Sequence, residues 1–301
     1  MGITRVGASL LHDVVKDKSL RKDNICQLGK QWLYFDEEYF EEFLTKRNIQ
    51  YISNNKFKFK NSVPNEVFFE HLGFKEVYSL DVSNYENPSF VADLNLDVDE
   101  KLHNKFDCIY DGGTIEHVFN IPKFFENIFK MLKVGGYIMH MTPSNNFLDH
   151  GFYSISPTLY YDYYSKNKFK ILKSSVYINT GKGSVTNNQQ QNKNFLLDYS
   201  PGCIHHKSMG GWSSENIMSW FCVQKTEEST YNFSPTQSQI QNAWVNKGSE
   251  TIKKPKNKIL AKIYDKLKNI RLVYKIYLKF LDFRKKLQSN KVKLKLKKIK
   301  L

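Results

Sequence analysis

The first 225 residues alternate between short apolar runs, which are typical of buried strands, and segments with apolar residues at helical spacing. Strands that alternate with helices indicate βαβ units and a parallel sheet, so the pattern predicts a doubly wound α/β fold. The predicted strands are residues 24–29, 77–81, 90–93, 106–111, 137–141, 169–178 and 217–224. The predicted helices are residues 35–46, 65–72, 121–132 and 157–165.

This pattern predicts one principal domain over residues 24–225, preceded by an N-terminal arm at residues 1–23. Two insertions are expected inside it, at about residues 34–72 and 180–216; the second is rich in Gly, Asn, Gln and Ser and contains no clear element. A linker at 226–250 and a basic tail at 251–301 follow the domain.

The positive charge of the chain is concentrated in that tail. Residues 251–301 contain 19 Lys or Arg and two acids, whereas the first 250 residues contain 26 bases and 28 acids. Apolar residues from Leu260 to Leu281 recur at steps of three and four, which predicts a basic amphipathic helix. Three partners are compatible with such a helix: an anionic membrane surface, a nucleic acid, or the body of the chain or a second copy. Lys outnumbers Arg by 17 to 2, which favours the membrane over sequence-specific nucleic-acid recognition.

The cysteines and the absence of targeting signals indicate a reducing compartment. Four cysteines show no CxxC spacing, which argues against a disulfide framework or a zinc site. His205 and His206 in the polar insertion could bind a metal only with distant partners, because adjacent residues in a strand point to opposite faces. We expect a solvent-facing loop pair there and predict no metal site. Neither a signal peptide nor an apolar stretch of bilayer length is present. We therefore expect a cytoplasmic protein that is peripheral on the inner face of the membrane.

The central block resembles the class I S-adenosylmethionine-dependent methyltransferases. The run FDCIYDGGTIEHV at residues 106–118 resembles the fourth strand of that family and the EHV turn after it. Residues 133–138 look like its LKPGG hairpin, and residues 141–146 resemble the turn after strand five. The resemblance implies a Rossmann-like sheet of the seven-stranded type, S-adenosylmethionine as cofactor, and methyl transfer. We expect a small-molecule or glycan acceptor, and the tail suggests a lipid-linked surface-polysaccharide intermediate.

The first loop departs from the family pattern. The family has a GxGxG turn after strand one, whereas residues 27–31 contain only Gly29. About 50 residues separate Gly29 from Asp81, where a Rossmann-type unit has about 20. Either an insertion separates the first two strands, or strand one lies elsewhere. The alternatives to the enzyme are a non-catalytic methyltransferase-like binding protein and an RNA methyltransferase that uses the tail; an NAD-dependent enzyme fits less well, because it also needs a glycine-rich turn.

Ligands of open α/β sheets bind beyond the carboxyl ends of the strands, which identifies the candidate cofactor site. The resemblance implies that Asp81 accepts hydrogen bonds from a ribose diol, and Asp93 could meet the adenine amino group; each could instead be a capping residue. The predicted cofactor-binding residues are Gly29, Gln31, Asp81, Asp93, Asp111, Gly112 and Gly113.

Three residues are candidates for catalysis. A hydroxyl or amine acceptor needs a base, and histidine has a suitable pKa. His117, next to Glu116 in the EHV turn, and His150, which follows strand five at the same edge of the sheet, are therefore the predicted catalytic residues together with Glu116. Packing or loop anchoring is the alternative role for each histidine.

Overall fold

The computed structural model describes residues 2–51, 63–180, 194–205, 212, 215–245 and 297–298. The chain divides into two compact units. The first comprises Met1–Pro201, Ser214–Pro235 and Leu296–Leu301, and the second comprises Gly202–Ser213 and Thr236–Lys295.

Strands and helices alternate along the first unit. Its strands are β1 (Gly2–Ile3), β2 (Asn24–Leu28), β3 (Trp32–Leu33), β4 (Glu76–Asp81), β5 (Phe90–Val91), β6 (Phe106–Asp111), β7 (Leu132–Asn145), β8 (Lys170–Asn179), β9 (Asn194–Asp198), β10 (Asn216–Gln224) and β11 (Lys297–Lys298). Its helices are α1 (Arg5–Val15), α2 (Glu37–Lys46), α3 (Asn65–His71), α4 (Ile121–Met131) and α5 (Pro157–Lys166). The described part of the second unit contains α6 (Ser238–Val245).

The principal sheet has the strand order β11-β9-β8-β10-β7-β6-β2-β4-β5. Strands β5, β4, β2, β6 and β7 are parallel, and β10 lies antiparallel between β7 and β8. The chain runs from β2 to β4 and β5 on one side and returns to β6 and β7 on the other. The predicted doubly wound, mostly parallel sheet is therefore confirmed, and its topological switch point lies between β2 and β6.

The first strand lies where the sequence predicted it. Because β2 pairs in parallel with β4, a crossover must connect them, and α2 and α3 lie in this connection. Asp36 caps α2 by accepting a hydrogen bond from the Tyr39 amide at 3.0 Å, and Glu37 and Glu38 occupy its first turn. The wide separation between Gly29 and Asp81 thus reflects a long crossover and not a misplaced strand.

The N-terminal arm needs correction. Residues predicted to precede the domain form β1 and α1, and the apolar side of α1 is buried in the core of the first unit. Thr4 begins this helix by accepting a hydrogen bond from the Gly7 amide at 3.0 Å. This segment is part of the domain.

Both polar regions late in the chain contain elements that the sequence pattern did not reveal. Strand β9 lies in the predicted insertion at 180–216 and pairs with β8, and α6 lies in the predicted linker. The start of that linker packs on the first unit, where the Phe233 amide donates to Asn167 Oδ1 at 3.1 Å. The predicted tail helix lies outside the described residues; β11 pairs with β9.

The structure also describes the state of the cysteines and the character of the helices. All four cysteines are free thiols; Cys26, Cys108 and Cys222 are buried, and Cys203 is exposed. Within the described ranges, every helix is too short or too polar to cross a bilayer.

Candidate active site

Gly29, Asp81 and Asp111 lie together at the carboxyl edge of the sheet. Strand β2 is hydrogen-bonded to β4 on one side and to β6 on the other, and Leu28 is in register with both Leu80 and Asp111. The three strand ends are therefore adjacent, as the sequence predicted.

The turn after β2 is closed by a glutamine. Gly29 has a left-handed backbone conformation (φ 69°), which favours glycine. Gln31 is buried, and its Nε2 donates to the carbonyls of Leu28 at 3.0 Å and Gly29 at 3.3 Å. Its Oε1 is buried without a hydrogen-bond partner among the described residues, and it lies 2.5 Å from where a Cβ at position 112 would be. A side chain at Gly112 would therefore collide with Gln31.

Asp81 and Asp93 are half-buried at the ends of β4 and β5. Asp81 Oδ1 accepts a hydrogen bond from the Ser83 amide at 3.1 Å. Asp93 Oδ1 accepts from the Asn95 amide at 2.9 Å and from its side-chain Nδ2 at 2.8 Å. Both carboxylates thus make turn contacts of the capping type, and their contacts with a cofactor stay a prediction.

Asp111 is fully buried, and both of its carboxylate oxygens have partners. Oδ1 accepts hydrogen bonds from the amides of Thr114 at 2.8 Å and Ile115 at 3.3 Å, and Oδ2 lies 2.7 Å from His140 Nδ1. These contacts fold the backbone around Gly112 and Gly113. In this position Asp111 holds the turn after β6, and its predicted contact with the cofactor stays a prediction.

His140 is a site residue that the sequence reasoning missed. It is fully buried in β7 in register with Asp111, its Nε2 lies 2.6 Å from the Tyr164 hydroxyl, and its ring stacks on Tyr160. A histidine inside an otherwise apolar strand was the available signal. Its partner could not be identified without the register between β6 and β7.

Glu116 is the most unusual group at this edge. Its side chain is fully buried, and among the described residues neither carboxylate oxygen has a hydrogen-bond partner. Burial, followed by the nearby charge of Asp111, raises the pKa of Glu116 to about 8. Gly151 packs directly on this residue: a Cβ at 151 would lie 2.8 Å from the Glu116 carbonyl oxygen and 3.1 Å from its Cγ.

His117 and His150 lie beside Glu116. His150 Nε2 is 3.7 Å from Glu116 Oε1, and the two imidazole rings are 5.3 Å apart between centroids. Both histidines are exposed to solvent. Burial of part of its ring, followed by the proximity of His150, lowers the pKa of His117. The three predicted catalytic residues are therefore brought together.

A cavity of about 160 Å³ opens at this position. Four of the predicted site residues line it, namely Gly112, Gly113, Glu116 and His150. The apolar part of its wall is formed by Tyr34, Tyr110, Met141, Pro143, Phe147 and Met218. The cavity lies beside the glycine turn after β6, and ligands of doubly wound α/β sheets bind at such carboxyl ends of the strands.

Comparison with known proteins identifies a similar family over part of the chain. Residues 63–175 match the family model of a methyltransferase domain. No curated protein sequence matches the chain significantly.

Solved structures of methyltransferases resemble the chain only at low identity. A putative sarcosine dimethylglycine methyltransferase from Galdieria sulphuraria is 13% identical over 72% of this chain and 84% of its own, with a TM-score of 0.39. A SAM-dependent methyltransferase from Aquifex aeolicus is 12% identical over 70% of this chain and 88% of its own, with a TM-score of 0.32. TehB from Haemophilus influenzae is 14% identical, with a TM-score of 0.32, and the match spans 54% of each chain.

The matched residues 63–175 span β4 to β8, including the turn with Glu116 and the loop with His150. These residues make up less than half of the 301-residue chain, and over them the chain is similar to methyltransferase domains.

Proposed function

We propose that this chain is an S-adenosylmethionine-dependent methyltransferase that methylates a hydroxyl group of a small-molecule or glycan acceptor, which enters the cavity beside Glu116 and His150. The observation that carries the proposal is the composition of that cavity. Its wall is mostly apolar and aromatic, and the carboxyl and imidazole side chains of Glu116 and His150 also line it, which is the arrangement of a site for a small organic ligand.

The residues at the strand ends fit the cofactor. Gln31 Oε1 is a buried acceptor without a hydrogen-bond partner in the described part of the chain, which suits a donor such as the ammonium of the methionine part. Asp81 is half-buried and is suited to accept hydrogen bonds from the ribose diol. Gly112 leaves room where a side chain would collide with Gln31. These residues, with Gly29, Asp93 and Gly113, are proposed to hold the adenosyl and methionine parts.

The chemistry requires proximity and removal of one proton. When bound, S-adenosylmethionine supplies an electrophilic methyl group on its sulfonium sulfur. The acceptor hydroxyl must lose its proton as its oxygen takes the methyl group, so a base within hydrogen-bond reach assists the reaction. His117 and His150 are suitable bases, because a lowered pKa keeps His117 neutral near pH 7.

The basic tail supports a lipid-linked acceptor. Residues 251–301 contain 19 bases and two acids, and each base near an anionic surface contributes about 1 kcal/mol. A peripheral position on the inner face of the membrane would bring the cavity close to lipid-linked glycans. Sedimentation with anionic liposomes, comparing the full chain with a chain ending at residue 250, tests this step; equal sedimentation of both chains would contradict it.

Transfer of a labelled methyl group tests the acceptor class. The full chain is incubated with methyl-labelled S-adenosylmethionine and with monosaccharide glycosides, oligosaccharides, polyprenyl-phosphate-linked oligosaccharide or RNA. We expect label in a carbohydrate, with higher turnover for the lipid-linked form in liposomes. Label in RNA alone would overturn the acceptor proposal and favour an RNA methyltransferase.

A further inference from the structure

The buried carboxylate of Glu116 requires a partner that the described protein residues do not supply. It is fully inaccessible to solvent, yet neither oxygen accepts a hydrogen bond from the described part of the chain. Buried polar groups in native proteins are nearly always satisfied, and a buried charge is paired or binds a metal. The close packing of Gly151 on Glu116 restricts movement of the backbone that carries this side chain.

Two imidazoles face the same oxygen atoms. The Glu116–His150 distance of 3.7 Å is too long for a hydrogen bond, and one ligand atom from each of Glu116, His117 and His150 lies within 4.8 Å of the other two. Ligand atoms bound at about 2.1 Å to a tetrahedral zinc ion are roughly 3.4 Å apart. Small side-chain rotations of the two exposed histidines would bring the ligand atoms to this shorter separation.

We propose that Glu116, His117 and His150 bind one divalent transition-metal ion of the zinc class. Two imidazoles and one carboxylate are ligands that suit zinc and its neighbours, whereas magnesium and calcium prefer oxygen ligands alone. Three protein ligands with an open fourth position is the pattern of catalytic zinc sites. The sequence predicted no metal site, because the spacing of the cysteines and of the adjacent pair His205 and His206 does not indicate a set of metal ligands.

The open position of such an ion would face the acceptor. Glu116 and His150 line the cavity described above, so an acceptor oxygen inside it can complete the coordination. A metal-bound hydroxyl loses its proton more easily, so the proton would pass to solvent water as the oxygen takes the methyl group and S-adenosylhomocysteine leaves, and neither imidazole would need to act as the base. This last step rests on the proposed function, whereas metal binding itself does not.

Metal titration of the full chain tests the proposal. After treatment with a chelator and dialysis, the wild type is titrated with Zn²⁺, Co²⁺, Mg²⁺ and Ca²⁺ by calorimetry, and Co²⁺ binding is followed by visible absorption. We expect one Zn²⁺ or Co²⁺ per chain, bound at least about tenfold more tightly than Mg²⁺ or Ca²⁺. Zn²⁺ should also raise the midpoint of thermal unfolding.

Variants locate the bound ion. Glu116→Gln and His150→Ala should each weaken Zn²⁺ binding about tenfold or more and change the Co²⁺ spectrum, because each removes one of three protein ligands. His103→Ala is the matched control, since this histidine precedes β6 at the opposite edge of the sheet. Circular dichroism confirms that each variant is folded.

Four results would overturn the proposal. They are no binding at millimolar Zn²⁺, Mg²⁺ binding as tight as Zn²⁺ binding, equal Zn²⁺ affinity in wild type and Glu116→Gln, and loss of the ion only when His205 and His206 are both changed to Ala. Binding of S-adenosylhomocysteine, measured without metal, separates a failure of this inference from a failure of the proposed function.

Discussion

Two carboxylates at the carboxyl edge of β6 are equally buried and have opposite surroundings. Asp111 and Glu116 are both 0% exposed. Asp111 accepts two backbone hydrogen bonds and lies 2.7 Å from His140, whereas neither oxygen of Glu116 has a hydrogen-bond partner in the part of the chain that the structure describes. The two residues are only five positions apart, so the difference arises from what packs on each of them.

The difference separates a structural charge from a functional one. The contacts of Asp111 stabilise the folded backbone of the turn and need no ligand. Glu116 contributes nothing comparable to the fold, and its burial raises its pKa. Unsatisfied buried groups often mark functional sites, so we assign ligand binding to Glu116 and positioning of the turn to Asp111.

The largest loss of stability is expected when Asp111, the carboxylate with hydrogen-bond partners, is replaced. Asp111→Ala leaves His140 and two backbone amides without their partner, and each buried polar group left unsatisfied costs about 1–3 kcal/mol, or roughly 3 kcal/mol or more in total. We expect a loss of this size in the free energy of unfolding, measured with urea. Asp81→Ala is the control, because Asp81 is half-buried and should change stability by less than about 1 kcal/mol. Similar losses in both variants would show that Asp111 has no special structural role.

The buried Lys225 tests whether a buried basic group with hydrogen-bond partners stabilises the fold as the acidic Asp111 does. Lys225 is 5% exposed, and its Nζ donates to the carbonyls of Phe129 at 2.7 Å and Leu132 at 2.8 Å, at the C-terminal end of α4. Lys225→Met should cost about 1–3 kcal/mol of unfolding free energy, because both carbonyls lose this donor.

The pH dependence of that lysine can be given a sign. Burial lowers the pKa of Lys225 from 10.5 to about 8, so between these values the folded chain binds fewer protons than the unfolded chain. The free energy of unfolding of the wild type should therefore rise with pH from about 8 to 10.5, relative to Lys225→Met. Urea titrations of both proteins at several pH values measure this dependence. If the free energy of unfolding of the wild type relative to Lys225→Met decreased with increasing pH, the predicted pKa shift would be contradicted.

The smallest change in the free energy of unfolding is expected when Glu116 is replaced. In metal-free protein, Glu116→Gln gives up no hydrogen bond with the described residues, so the free energy of unfolding should stay within about 1 kcal/mol of wild type or increase slightly. The same substitution should strongly reduce methyl transfer. A large loss of stability, comparable to that of Asp111→Ala, would remove the contrast between the two residues.

The sequence was informative where a local pattern determines the structure. Strand β6 and the start of α2 were predictable, because one is a continuous apolar run and the other begins at a capping Asp36. Strand β9 was missed because its apolar residues are few and lie in a polar region. The membership of α1 in the core depends on tertiary packing, which periodicity alone does not reveal.

The site was predictable as a set of strand ends but not as a set of contacts. Gly29, Asp81 and Asp111 could be placed together from the topology of parallel strands. The pairing of Asp111 with His140 depends on the register of two strands, and the isolation of Glu116 depends on the packing of Gly151. Neither is encoded in residue spacing, so the two carboxylates could not be told apart from sequence.

The central claim is that the carboxyl ends of β2, β4 and β6 hold the adenosyl cofactor. Calorimetric titration with S-adenosylhomocysteine tests this claim most directly. We predict one ligand per chain and an affinity at least about tenfold lower in Asp81→Ala, because hydrogen bonds to a charged group contribute about 1.5–3 kcal/mol. Asp99→Ala, which changes a carboxylate that caps a short helical turn, should bind like wild type. Absence of binding at millimolar ligand, or equal affinity in Asp81→Ala and wild type, would contradict this assignment.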